Sequence, residues 1–157
     1  MFNRTLQHLS NRIRSLVAKA RVRAVQQGAT EILQLETPGG LVDRVERLEQ
    51  FGFASATLPG ADALRVYAYG ASDHPIATVT ADARYRPTNL APGDACLYNA
   101  AGDRLTLKAS RGLEASVNGA SVIVDATQIK LQMGAVSLTV TSAGVTIVAP
   151  LGTTTFV

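Results

Sequence analysis

The sequence predicts a mainly β protein: an N-terminal helix, an OB-like β-barrel and a C-terminal β-helix intertwined from several chains. Three observations carry this. Short strand-like runs separated by Gly, Pro or Asn-Gly fill the chain after residue 20. Hydrophobic residues make up 46% of the 157 positions but aromatics only 5%, so the apolar content is small and aliphatic and suits thin, regular packing. Apolar and polar residues alternate in runs that start at 113, 122, 129, 136 and 145, an approximate repeat.

Residues 1–20 read as a basic amphipathic helix. Phe2, Leu6, Leu9, Ile13, Leu16, Val17 and Ala20 fall on one stripe about 100° wide. No Gly or Pro interrupts the chain before Gly28. Six of the fifteen basic residues lie in residues 1–30, which hold no acid. Residues 31–114 carry eight basic and eleven acidic groups, and residues 115–157 carry only Asp125 and Lys130. The net charge of +3 therefore belongs to one end and does not argue for a nucleic-acid groove. Packing on the body or on a neighbouring chain, organelle targeting and membrane-surface binding remain open roles for this helix. No run of about 18 apolar residues is present to span a bilayer.

Residues 21–85 read as the barrel. Arg21–Val25 alternates, Glu31–Glu36 is a strand closed by Pro38-Gly39-Gly40, and Val42, Val45 and Leu48 form a strand or a short helix. Phe51-Gly52-Phe53 opens the next unit, Leu58-Pro59-Gly60 turns it, and Ala63–Tyr69 and Pro75–Thr80 complete about five strands. Six of the eight aromatics lie between Phe51 and Tyr98, which predicts that they form the bulky core. Arg65, Tyr67, Tyr69 and Arg84 are the residues a nucleic-acid-binding barrel face would recruit, although Tyr67 and Tyr69 share a strand face that serves equally as core.

Residues 86–103 are a connector, and residues 104–157 form the repetitive tail. Its alternating apolar positions are Leu105, Leu107, Leu113, Val117, Val122, Val124, Ile129, Leu131, Val136, Leu138, Val140, Val145 and Ile147, with Asn118-Gly119 as a hairpin signal. Such strands need a partner surface. Several chains presenting these side chains to a shared axis would provide one and close the strand edges. A second small β-sandwich within one chain is the alternative.

No catalytic or metal-binding pattern stands out. His8 and His74 lack neighbouring ligands, Cys96 is alone and sits in an apolar stretch as a core thiol, and the scattered Asp residues sit at turns. No enzyme activity and no cofactor are expected.

Phe51–Ser55 with Leu58–Asp62, and above all Arg86-Pro87 through Leu90, Gly93-Asp94 and Tyr98, resemble the Mu-like phage baseplate assembly protein V, the central tail spike of contractile systems. The order of helix, barrel, connector and repetitive tail fits as well; Asp94 stands where that family usually has Glu. The resemblance implies a homotrimer in the virion tail baseplate, assembled in the host cytoplasm. It would dock on a central hub protein, pierce the host envelope and contact the outer membrane transiently, without binding nucleic acid. Spikes of this kind often end in a His-x-His iron apex, but no His follows His74, so iron is not implied. Leu151, Phe156 and Val157 are the tip candidates, with a separate tip protein as a further partner. A trimeric fibre or adhesin domain, or an OB-fold nucleic-acid binder, is the alternative function.

Overall fold

The computed structural model describes residue 10 and residues 16–68, 73–150 and 152–156. It divides into two compact units, Met1–Arg84 and Tyr85–Val157. The first is a closed barrel of five strands: β1 (Val17–Gln26), β2 (Ile32–Thr37), β3 (Gly40–Arg47), β4 (Asp62–Tyr67) and β5 (Pro75–Ala81), in the order β1-β2-β3-β5-β4 with β4 closing on β1. Strand β1 serves both sides of the closure: residues 17–21 pair with β4 and residues 21–26 with β2. A register shift at Arg23 bends it between the two partners. A second bulge places Asp43 and Arg44 opposite Gln34, with Arg44 in the left-handed region at φ 56°. These kinks let short strands turn the corners of a small barrel.

The helix expected over residues 1–20 lies mostly outside the described residues. Residues 17–20 are the opening of β1, because pairing with β4 satisfies their backbone and outweighs a helical apolar spacing.

The expected aromatic core is also corrected. Val22, Leu33, Leu35 and Val45 fill the barrel, packed with Ala20, Ala61, Ala63 and Ala77. Phe51, Phe53, Tyr85 and Tyr98 are exposed. A five-stranded interior has room for one layer of aliphatic side chains, and Phe51 and Phe53 flank Gly52 in the β3–β4 loop rather than opening a strand. Arg65 is buried instead, its guanidinium 3.9 Å from the centre of the Tyr67 ring and donating from Nη1 to the Tyr67 hydroxyl at 2.7 Å.

The β3–β4 loop is fixed by one buried polar cluster. Arg47 Nη1 donates to Glu31 Oε2 at 2.6 Å, to Thr57 Oγ1 at 2.8 Å and to the Ser55 carbonyl. Its Nη2 donates to Ser55 Oγ at 2.6 Å and to Glu49 Oε1 at 2.9 Å. Glu31 also accepts the Thr57 backbone N–H at 3.0 Å. At the far end of the loop Gly60, φ 97°, turns beside Arg84; a Cβ at Gly60 would lie 2.9 Å from Arg84 Nη2.

The second unit is one sheet of eight strands: β6 (Ala95–Tyr98), β7 (Arg104–Lys108), β8 (Gly112–Val117), β9 (Ala120–Val124), β10 (Gln128–Met133), β11 (Val136–Thr141), β12 (Gly144–Ala149) and β13 (Gly152–Phe156). Each strand pairs antiparallel with its sequence neighbours, so within one chain the expected coil is a meander. Tight turns set it up. Asn118 and Gly119 have φ of 40° and 85°, the paired positive values of a hairpin turn whose twist matches the strands. Strands β6 and β13 went unread because the first lies among Pro and Gly and the second is mostly threonine.

Burial pushes the Glu31 carboxyl up, but hydrogen bonds from Thr57 and Arg47 outweigh it and hold the group below its ordinary value of 4.5. A depressed folded value contributes stability above pH 4.5, which is lost as pH falls through the folded value. Glu31→Gln leaves the buried Arg47 with Glu49 as its one carboxylate partner and removes the charge-assisted bonds to Thr57 and Arg47, and is expected to destabilise the barrel by about 1.5–3 kcal/mol at pH 7. Its stability should also fall less steeply on acidification than that of the unmodified chain. Denaturant melts at pH 7 and pH 4 read both effects.

Candidate functional site

The feature that calls for a function is the face of the C-terminal sheet. Residues directly opposite in antiparallel strands point to the same side. One row runs Leu97, Leu105, Ala115, Val122, Leu131, Leu138 and Ile147, each paired with the next. Two residues along each strand, a second row runs Ala95, Leu107, Leu113, Val124, Ile129, Val140, Val145 and Phe156. Val117, Ala120, Met133 and Val136 form a shorter third row. All thirteen positions expected at an axis fall on these rows, as does the tip candidate Phe156. Leu151 and Val157 lie outside the described residues.

The face is bare in a single chain. Leu107 is 55% exposed, Ile129 49% and Met133 72%. Eight strands at about 4.8 Å spacing and two rows deep make a patch on the order of 500 Å². That matches the largest apolar patches found on ordinary monomers, which are commonly interaction sites. The face carries an open hollow of about 430 Å³, lined by Val117, Val122, Leu131, Met133, Val136 and Leu138 among others, with no titratable residue in its wall.

The opposite face is polar. Cys96, Thr106, Glu114, Ile123, Lys130, Thr139, Thr146 and Thr155 follow one another across it. Lys108 and Glu114 form an ion pair at 2.5 Å. The two charges of residues 115–157 both avoid the apolar rows. Lys130 is on the polar side, and Asp125 closes a turn by accepting the hydroxyl and backbone N–H of Thr127 and the backbone N–H of Gln128. Those bonds, the Thr127 hydroxyl first, hold the Asp125 carboxyl down at about 2.

Sequence reasoning missed Leu97 and Met133 as members of the face. Alternation in β6 was legible at Ala95 and Leu97, but only four residues long. Cys96, read as a core thiol, is half-buried on the polar side, with Thr106 Oγ1 3.4 Å from its Sγ.

The barrel does not assemble the basic and aromatic residues of the nucleic-acid reading into one surface. Arg65 is turned inward onto Tyr67, Arg84 donates to Asp82 and to the Pro59 carbonyl, and Tyr69 lies outside the described residues. Among the described residues no three His, Cys, Asp or Glu side chains come together as a metal site.

Residues 14–84, the barrel, match the family described as Bacteriophage Mu Gp45, N-terminal. The chain is 42% identical over 110 residues to the baseplate puncturing device gp45 of Escherichia phage Mu, covering 67% of this chain and 54% of that protein. It is 35% identical over 107 residues to the Mu-like prophage FluMu protein gp45 of Haemophilus influenzae, covering 67% and 58%. The chain thus spans little more than half the length of the curated relatives it matches.

Asp94 pins the start of the sheet. Its Oδ1 accepts the Ala109 N–H at 2.9 Å and its Oδ2 the Ala91 N–H at 3.0 Å, tying the connector to the β7–β8 turn. Gly93, φ 91°, makes the approach close: a Cβ there would sit 3.1 Å from that of Ala109, so the short Asp side chain reaches both donors. The bonds from Ala109 and then Ala91 hold the carboxyl below its ordinary 3.8. Asp94→Ala is expected to lower the thermal midpoint at pH 7. The gap to the unmodified chain should close as pH falls below 3.8, where protonation weakens the same acceptors. Thermal melts of both proteins at pH 7 and pH 3 check it.

Proposed function

This chain belongs to the Mu gp45 family of phage baseplate proteins, and on that premise we propose that it is the central spike of a contractile tail, a homotrimer at the tail axis. The barrel docks on the baseplate hub, and the three C-terminal sheets wind together into a β-helix that meets the host envelope. The supporting observation is the continuous apolar face: one row across all eight strands beside a second across seven, exposed in one chain and free of charge.

Three copies turning these rows inward would bury them without adding a second layer to each chain. Edge strands β6 and β13, each unpaired on its outer side in the single chain, would find partners in neighbouring copies. The polar faces, rich in Thr and Ser, would form the outside of the shaft. The role is mechanical. Sheath contraction supplies the work, and the spike supplies stiffness through cross-chain backbone hydrogen bonds and a dry interior. The near absence of charge after residue 115 lowers the cost of entering a bilayer. This reading requires no cofactor and no catalytic group; assembly takes place in the host cytoplasm, and a separate tip protein would cap Phe156 and its neighbours.

The expected solution mass is three times the 16.5 kDa of the chain. Ile129→Glu with Leu131→Glu places two carboxylates in the dry interior, at several kcal/mol each. Self-association should weaken by at least a hundredfold, since about 1.4 kcal/mol is tenfold. Sedimentation equilibrium reads both. A monomeric unmodified chain, or a double variant that assembles as tightly, overturns the reading.

A further inference from the structure

We propose that the β3–β4 loop is a docking surface for the basic amphipathic segment, residues 1–15, of a second copy of this chain; the proposal rests on the homotrimer reading. Phe51 in the loop is fully exposed, and Leu48, Phe53 and Leu58 of the same loop are exposed as well. The loop is fixed at both ends: the Leu48 N–H donates to the Ala77 carbonyl before Phe51, and after it Arg47 donates to the Ser55 carbonyl and the Thr57 N–H donates to Glu31. An aromatic with two χ angles on a loop tied down at both ends loses little entropy on docking.

The surroundings are acidic. Residues 48–64 contain no Lys or Arg. Beside the loop lies a hollow of about 550 Å³ whose wall includes Glu31, Glu46, Arg47 and Glu49. Its one cation, Arg47, is already paired with two of those carboxylates. Glu46 makes no ion pair among the described residues. Such a surface repels a phosphate backbone or an anionic bilayer and favours an apolar stripe flanked by cations.

The chain carries that complement. Phe2, Leu6, Leu9 and Ile13 recur at helical spacing, Arg4, Arg12 and Arg14 lie off the stripe, and no acid precedes Glu31. Phe51 is bare within the single chain, and the apolar rows of the C-terminal sheet already call for several copies side by side. The segment of one copy over the loop of the next would clasp the trimer at its barrel end.

The test uses the full-length chain. Phe51→Trp supplies its only indole, because Trp is otherwise absent. The expected result is an emission maximum shifted to the blue in the assembled protein and returned to the water-exposed position when Arg12→Glu and Arg14→Glu are added. Refolding this triple variant with an excess of unmodified chain should restore the blue shift, since unmodified copies supply the segment in trans. A blue shift that mixing fails to restore places the segment on its own barrel, and emission that is water-exposed throughout leaves the loop for a foreign protein; either result overturns the proposal. Sedimentation of the same samples separates the two levels: a trimer with an exposed indole sinks the docking alone, whereas a monomer sinks the homotrimer reading with it.

Discussion

A single-layer antiparallel sheet with one apolar side has nowhere within its own chain to put that side. This constraint governs the C-terminal unit. Its strands are too short and its connections too tight to fold back as a second layer: Val117 pairs with Ala120, Met133 with Val136 and Thr141 with Gly144, each across a two-residue turn. The chain is committed to a ribbon whose Leu, Ile and Val rows stay in water until another surface covers them. Backbone pairing gives such a ribbon its shape, while the hydrophobic contribution waits for association. Polar and apolar sides are separated almost completely, so a covering surface has one side to choose.

The barrel solves the opposite problem. Its strands close on themselves, and four aliphatic side chains, Val22, Leu33, Leu35 and Val45, fill the interior with a lining of alanines. That core is small for its number of residues, and polar bonding compensates. The Glu31 and Arg47 pair is almost fully buried and shares every charged oxygen or terminal nitrogen with a loop group. Removing Arg47 would leave the buried Glu31 carboxylate without its cation, and removing Glu31 would leave Arg47 with Glu49 as its one carboxylate partner, which is why this cluster fixes the loop so firmly. A barrel that packs its aliphatics inside is free to place Phe51 and Phe53 outside, on its loop.

Much of this was legible before any coordinates. Alternation located β7 to β12 almost residue by residue, since a period of two survives even where aromatics are missing. Asn118-Gly119 announced its turn, and the thirteen alternating apolar residues of the tail needed only the parity of the strands to fall on one side of the sheet. The misreadings have physical causes. Phe51 and Phe53 carry the residue type of a core but lie in a loop beside Gly52, and composition does not record which way a loop side chain points. Arg65 carries the residue type of a surface but is buried, where stacking on Tyr67 replaces water. Residues 17–20 suit a helical stripe and a strand equally well, and the pairing with β4 that decides between them is a long-range event. The loop cluster was out of reach for the same reason, since Glu31 and Thr57 are 26 residues apart in sequence.

Because every strand of the C-terminal unit pairs only with the strands before and after it, the unit behaves as a one-dimensional array. Hairpins can be gained or lost in the middle without disturbing the pairing at either end, provided that each strand keeps its parity; a single residue inserted within a strand would turn the rest of that strand to the wrong side. Length and register are therefore under separate control. Sheets of different length are accessible by duplicating whole hairpins, a change that leaves the barrel, the connector and the terminal strand as they are. The architecture works as a ruler whose divisions are pairs of strands, so that its length is open to selection in steps of one hairpin.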